Sequence, residues 1–110
     1  MLAACLEQPG KIIVKEVEKP QVSEGEVLLH IAACALCGTD KRVLAGEKPV
    51  SVPIVGHEIV ARIEELGAGV TGFKLGQRVS VQTVIGCGTC ELCKQNRQNL
   101  CEKGFTAIGY

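Results

Sequence analysis

The stretch "GCGTCELCKQNRQNLC", residues 86–101, carries Cys87, Cys90, Cys93 and Cys101 at the spacing C-x2-C-x2-C-x7-C. So few of its residues are apolar that burial alone cannot hold it in one shape, and whatever joins the four sulfurs decides how this part of the chain folds. Disulfides, an iron–sulfur cluster and a metal ion held by thiolates compete. The chain has seven cysteines, an odd number, and "MLAACLEQPGK" lacks the basic start and apolar stretch of a secretory leader, so the thiols are expected to be reduced. "CGTC" and "CELC" share Cys90, which cannot serve two redox pairs at once. Bacterial ferredoxins also begin C-x2-C-x2-C, but their fourth cysteine follows after three residues and precedes Pro; here seven residues intervene and Glu102 follows.

Tetrahedral zinc accepts four thiolates and imposes no electronic preference on the loop. Zinc is therefore the favoured ligand, with iron–sulfur and unligated thiols as the other readings. Four protein ligands close the coordination sphere, so a zinc here holds shape and performs no chemistry. Lys94, Arg97 and Lys103 would moderate the excess negative charge of a zinc tetrathiolate, or simply form a solvated surface.

The rest of the chain narrows the class. At 110 residues it is the size of one domain. Twelve Lys and Arg balance twelve Asp and Glu, and no basic block points to nucleic acid or an anionic membrane. Aromatic residues are few (Phe73, Phe105 and Tyr110), too few for a nucleic-acid stacking platform. No apolar run reaches the length of a membrane span, so a soluble, cytoplasmic chain is expected.

Short Val- and Ile-rich segments, 11–18, 26–34, 58–66 and 77–85, alternate with Gly-rich turns and read as strands of a small barrel or sandwich. Brief helices are expected at 38–46 and 90–96, ended by Gly or Asn. "GAGVTG", residues 67–72, matches the dinucleotide fingerprint, but "FKLGQRVSV" follows where a helix would have to begin, so it reads as a turn. The apolar ending "GFTAIGY" suits the interior of a longer protein. Cys5 and Cys34 are expected in strands as small buried side chains.

A second group is scattered over "CALCGTDKR" and "VPIVGHEIV": Cys37, Thr39, Asp40, His57 and Glu58. Singly they have ordinary explanations, such as a helix cap or a core histidine. Together they offer a thiolate, an imidazole and a carboxylate, the donor types of catalytic zinc sites that retain an exchangeable position.

In this order, "CGTD", "GHE", "GAGVTGFKLGQRV" and the four-cysteine loop resemble the N-terminal part of the zinc-dependent medium-chain alcohol dehydrogenases, over almost the whole chain. The resemblance implies a mainly β, GroES-like small barrel spanning 1–110, with short helices and a zinc lobe at 86–102. It implies that Cys37 and His57 bind catalytic zinc, with Glu58 beside them, and that Cys87, Cys90, Cys93 and Cys101 bind structural zinc. Thr39 matches the hydroxyl that passes on the substrate proton, and Asp40 a partner that orients the histidine.

The implied parent oxidises a small-molecule alcohol by hydride transfer to NAD or NADP, and as a homo-oligomer. Its third catalytic-zinc ligand and its Rossmann domain lie outside this length, so the chain alone is expected to be inactive. Gly38 after Cys37 resembles the polyol and threonine dehydrogenase branches, which implies a polar secondary alcohol. The chain departs from the family pattern at Ala61, Gln77 and Asn96, where Gly, Asp and Gly are usual. The competing reading is a stand-alone zinc-stabilised binding module, which would need the four-cysteine lobe but not Cys37, Thr39 and His57 together.

Overall fold

The computed structural model describes residues 1–49 and 53–109. Its elements are mainly β, as expected. The first two strands, β1 (Leu2–Gln8) and β2 (Lys11–Glu16), form an antiparallel hairpin turned at Pro9–Gly10. Cys5, paired with Ile13, is the buried centre of that hairpin, and the Leu6 N–H reaches across to the Pro53 carbonyl at 2.8 Å.

The longest ladder joins β3 (Val27–Ala35) to β4 (Glu58–Leu66), with β5 (Arg78–Ser80) on the far side of β4. Two register shifts in the β3–β4 ladder, one at Glu64 of β4 and one at Ala32 of β3, bend this sheet. Ala61 and Ile63, inward-facing on β4, are buried. Ala61 sits mid-sheet between Ile31 and Val79, where a methyl packs and a glycine would weaken the strand. A third pair, β6 (Val84–Ile85) and β7 (Thr106–Ala107), brackets the cysteine-rich segment.

The expected strand 77–85 is thus two strands. After the Val81 N–H bonds the Ile59 carbonyl at 3.0 Å, the polar pair Gln82–Thr83 leaves the sheet, and the Thr83 hydroxyl turns to the His57 carbonyl at 3.2 Å.

"GAGVTG" is a turn, as expected. The Gly67 N–H donates to the Glu26 carbonyl at 2.9 Å and the Gly25 N–H to the Ala68 carbonyl at 2.8 Å, so two turns lie against each other. A Cβ on Gly67 would overlap the Ser23 carbonyl oxygen, which accounts for glycine there by close backbone approach. Gln77 closes the turn before β5: its side-chain oxygen accepts from the Lys74 N–H at 3.0 Å.

Both helices are shorter than expected: α1 is Gly38–Leu44 and α2 is Glu91–Lys94, followed by a 3-10 turn at Gln98–Leu100. Asn96, just past α2, has φ of 60°, the left-handed conformation in which Asn replaces Gly at least cost. Val43 anchors α1 in the interior. Cys34 is exposed, contrary to expectation, as is every residue of β3 from His30 onward.

Candidate metal centres

The chain between β6 and β7 folds back so that Cys87, Cys90, Cys93 and Cys101 converge, all four sulfurs lying within 4.8 Å of one another. Cys87 and Cys93 are 4.0 Å apart, as are Cys90 and Cys101. Sulfurs at ~2.3 Å from a shared tetrahedral ion stand about 3.8 Å apart, so the cage fits zinc with little adjustment. None is in a disulfide.

Backbone and hydroxyl donors surround the cage. The Cys90 N–H points at the Cys87 sulfur and the Cys87 N–H at the Cys101 sulfur, each at 3.4 Å. The Thr89 hydroxyl donates to the Cys87 sulfur at 3.4 Å, and with the Thr89 and Cys90 N–H groups it pulls that thiol down to about 5. The Cys93 N–H, then that of Glu102, lowers Cys90. Burial acts the other way on Cys93 and pushes it up to about 12. Lowered thiols are ready-made thiolates, and a metal must displace the proton from Cys93.

Three contributors here escaped the sequence. Thr89 carries no motif signal. Gly86 is required because a Cβ there would stand 2.6 Å from the Cys93 sulfur. Gln98 accepts the Gly86 N–H at 3.1 Å and ties the 3-10 turn to the base of the lobe. Of the flanking cations, Lys94 pairs with Glu91 at 2.8 Å, and the Lys103 ammonium donates to the Thr89 hydroxyl at 3.4 Å, one step from the Cys87 sulfur.

A second convergence joins α1 to the start of β4. Cys37 is the N-cap residue of α1, where the chain leaves β3. Its N–H donates to Asp40 Oδ2 at 2.7 Å, so the carboxylate in the first turn fixes the cap. Asp40 is buried, and its other oxygen, Oδ1, faces His57 Nδ1 across 3.5 Å, with the histidine equally buried. The donor atoms of Cys37, His57 and Glu58 lie within 4.8 Å of one another, with Glu58 exposed. The Thr39 hydroxyl stands 3.8 Å from the Cys37 sulfur. All five residues of the scattered group are thus brought together.

This set of a thiolate, an imidazole and an exposed carboxylate differs from the sulfur cage in one respect. Three donors leave a tetrahedral ion with an exchangeable position.

Among the described residues no helix is long and apolar enough to cross a membrane. The family model for the alcohol dehydrogenase GroES-like domain matches residues 23–110. An alcohol dehydrogenase of Geobacillus stearothermophilus is 46% identical over 115 residues, covering 100% of this chain and 34% of that protein. An L-threonine 3-dehydrogenase of Idiomarina loihiensis is 38% identical over 103 residues, covering 89% of this chain and 30% of that protein. Among solved structures, the cobalt- and zinc-bound thermostable alcohol dehydrogenase of Pyrobaculum aerophilum superposes with a TM-score of 0.86 at 32% identity, over 100% of this chain and 36% of that one. The chain therefore spans about a third of the length of the curated relatives it matches. A mainly β body, a sulfur cage, an open three-donor cluster and these matches together place the chain in the alcohol dehydrogenase GroES-like domain family.

Proposed function

We propose that the chain is the metal-carrying N-terminal segment of a zinc-dependent alcohol dehydrogenase that transfers hydride from a small alcohol to NAD or NADP. The observation that carries this reading is the pairing of a closed sulfur cage with an open cluster of Cys37, His57 and Glu58. A stand-alone binding module would use the cage but has no need of the second cluster.

In this reading Cys87, Cys90, Cys93 and Cys101 hold a zinc that shapes the lobe. Cys37 and His57 hold a second zinc, with Glu58 within reach of it. A zinc held there would supply Lewis acidity, making a substrate alcohol easier to deprotonate. Asp40, whose Oδ1 faces His57 Nδ1 across 3.5 Å, would favour the tautomer that leaves Nε2 free to hold the ion. The Thr39 hydroxyl, beside the Cys37 sulfur, accepts the alcohol proton and passes it outward.

The nicotinamide-binding domain and a further zinc ligand belong to the remaining part of the parent. Similarity to a threonine dehydrogenase and the "CGTD" sequence support a polar secondary alcohol, a polyol or an amino alcohol, as substrate. The parent is read as a cytoplasmic homo-oligomer.

Native mass spectrometry with zinc tests the reading. One tightly held ion and a second, weaker one are expected, with Cys37→Ser losing only the second. Iron with visible absorbance, or a second ion indifferent to Cys37, would refute it.

A further inference from the structure

Ile108 and Gly109 lie against Thr83 and Gly56, the two residues that flank or bond the His57 backbone, although they belong to neither metal cluster. The Gly56 N–H donates to the Gly109 carbonyl at 3.2 Å, and the Ile108 N–H donates to the Thr83 carbonyl at 3.0 Å. Thr83 in turn donates its hydroxyl to the His57 carbonyl at 3.2 Å. A short circuit of three hydrogen bonds therefore runs from Gly56 through Gly109, Ile108 and Thr83 back to His57. β6 and β7, which adjoin Thr83 and Ile108, fix its far side.

The contact at Gly56 is tight on two sides. A Cβ on Gly109, which has φ of 80°, would overlap the Gly56 carbonyl oxygen, and a Cβ on Gly56 would stand 2.9 Å from the Cys34 sulfur. Gly56, at φ of 113°, is thus held between a sulfur and a second glycine's backbone, one residue before the histidine. A side chain at 109 would lift the strap or turn the Gly56 peptide. Either movement carries His57 with it, and metal donors tolerate displacements of only about 0.5 Å.

We infer that Gly109 and Thr83 are positioning residues for His57, acting through a strap, residues 106–109, that sets where the imidazole stands between Asp40 and the open metal position. The inference rests on the reading of Cys37 and His57 as metal ligands, and its test separates the two.

The chain is loaded with one zinc in the sulfur cage and then titrated with Co2+, whose thiolate-to-cobalt charge-transfer band reports ligation by Cys37. His57 ring-nitrogen shifts are recorded by NMR on the same protein before cobalt is added. Gly109→Ala is expected to weaken cobalt binding about tenfold or more, and Thr83→Val, which deletes one hydrogen bond, roughly threefold to tenfold. Thr83→Ser, which keeps the hydroxyl, restores the wild-type value. Both Gly109→Ala and Thr83→Val move the His57 nitrogen shifts, whereas the thermal midpoint of Thr83→Ser matches wild type. If Gly109→Ala does not fold, the Thr83→Val and Thr83→Ser pair decides. Wild-type His57 shifts in Thr83→Val overturn the strap inference whether or not cobalt binds. A wild-type chain without a Cys37-dependent band overturns the metal reading instead, while the nitrogen shifts still decide the strap.

Discussion

Asp40 and His57 face each other through Oδ1 and Nδ1 at 3.5 Å, both almost fully buried, while the other oxygen of the same carboxylate takes the Cys37 N–H at 2.7 Å. One side chain thus stands against two of the three donor residues of the open cluster. Asp40→Asn keeps the size of the side chain and removes its charge. Cobalt affinity at the open cluster is expected to fall about 10- to 100-fold, and the weakened cap to cost about 1 kcal/mol of stability. Cobalt titration and thermal unfolding of the zinc-loaded chain measure the two effects separately; an unchanged cobalt affinity would show that the carboxylate serves only the helix.

Cys90→Ser opens the sulfur cage. Its zinc is expected to be lost to a mild chelator that leaves the wild type loaded, since removal of one thiolate breaks a tetrahedral site whose binding energy is folding energy. Hydrogen exchange should accelerate between residues 86 and 105, while the β3–β4 ladder, which makes no contact with the cage through its own register, keeps its protection. Uniform acceleration across the chain would instead make the lobe integral to the whole fold.

Without metal, the lobe thiols separate in reactivity. Cys87, lowered to about 5 chiefly by the Thr89 hydroxyl, is expected to alkylate at neutral pH ahead of Cys93, which burial pushes up to about 12. The stability consequence has opposite signs. Between its ordinary value of 9.0 and about 5, Cys87 refuses a proton that the unfolded chain binds, so its contribution is full above 9 and is lost as pH falls toward 5. Cys93 contributes below 9 and loses its contribution as pH rises toward 12. Metal-free stability is therefore expected to peak near pH 9, as a pH series of denaturant melts would show. Thr89→Val should move the Cys87 reaction toward alkaline pH.

In the zinc-loaded chain, Cys34 and Cys5 are expected to differ sharply. Cys34 is exposed at the end of β3 and Cys5 is 2% exposed in β1, so a thiol reagent should label Cys34 within minutes and leave Cys5 for unfolding. Peptide mapping after timed labelling distinguishes them; early labelling of Cys5 would mean that the β1–β2 hairpin opens locally.

How much of this was legible in the sequence differs from residue to residue. The cysteine spacing pointed to a four-sulfur cage because ligand chemistry is local: all four donors lie on one short segment. The strands at 11–18, 26–34 and 58–66 were legible from their Val and Ile content and the glycines between them. Cys37 and His57 lie twenty residues apart, and only the family resemblance, not periodicity, placed them together. The fate of Cys34 was hidden because an apolar pattern marks residues that suit burial without showing what will cover them. Thr83 and Gly109 gave no signal either, since their role is hydrogen bonding and close approach between backbones remote in sequence.

The two-residue ladder of β6 and β7 ties the cysteine segment at its neck. Everything beyond that knot hangs from the body as a pendant with its own fastener. Lengthening, trimming or replacing it is expected to leave the registers of the other two sheets untouched, with the histidine on the near side of the knot keeping its post.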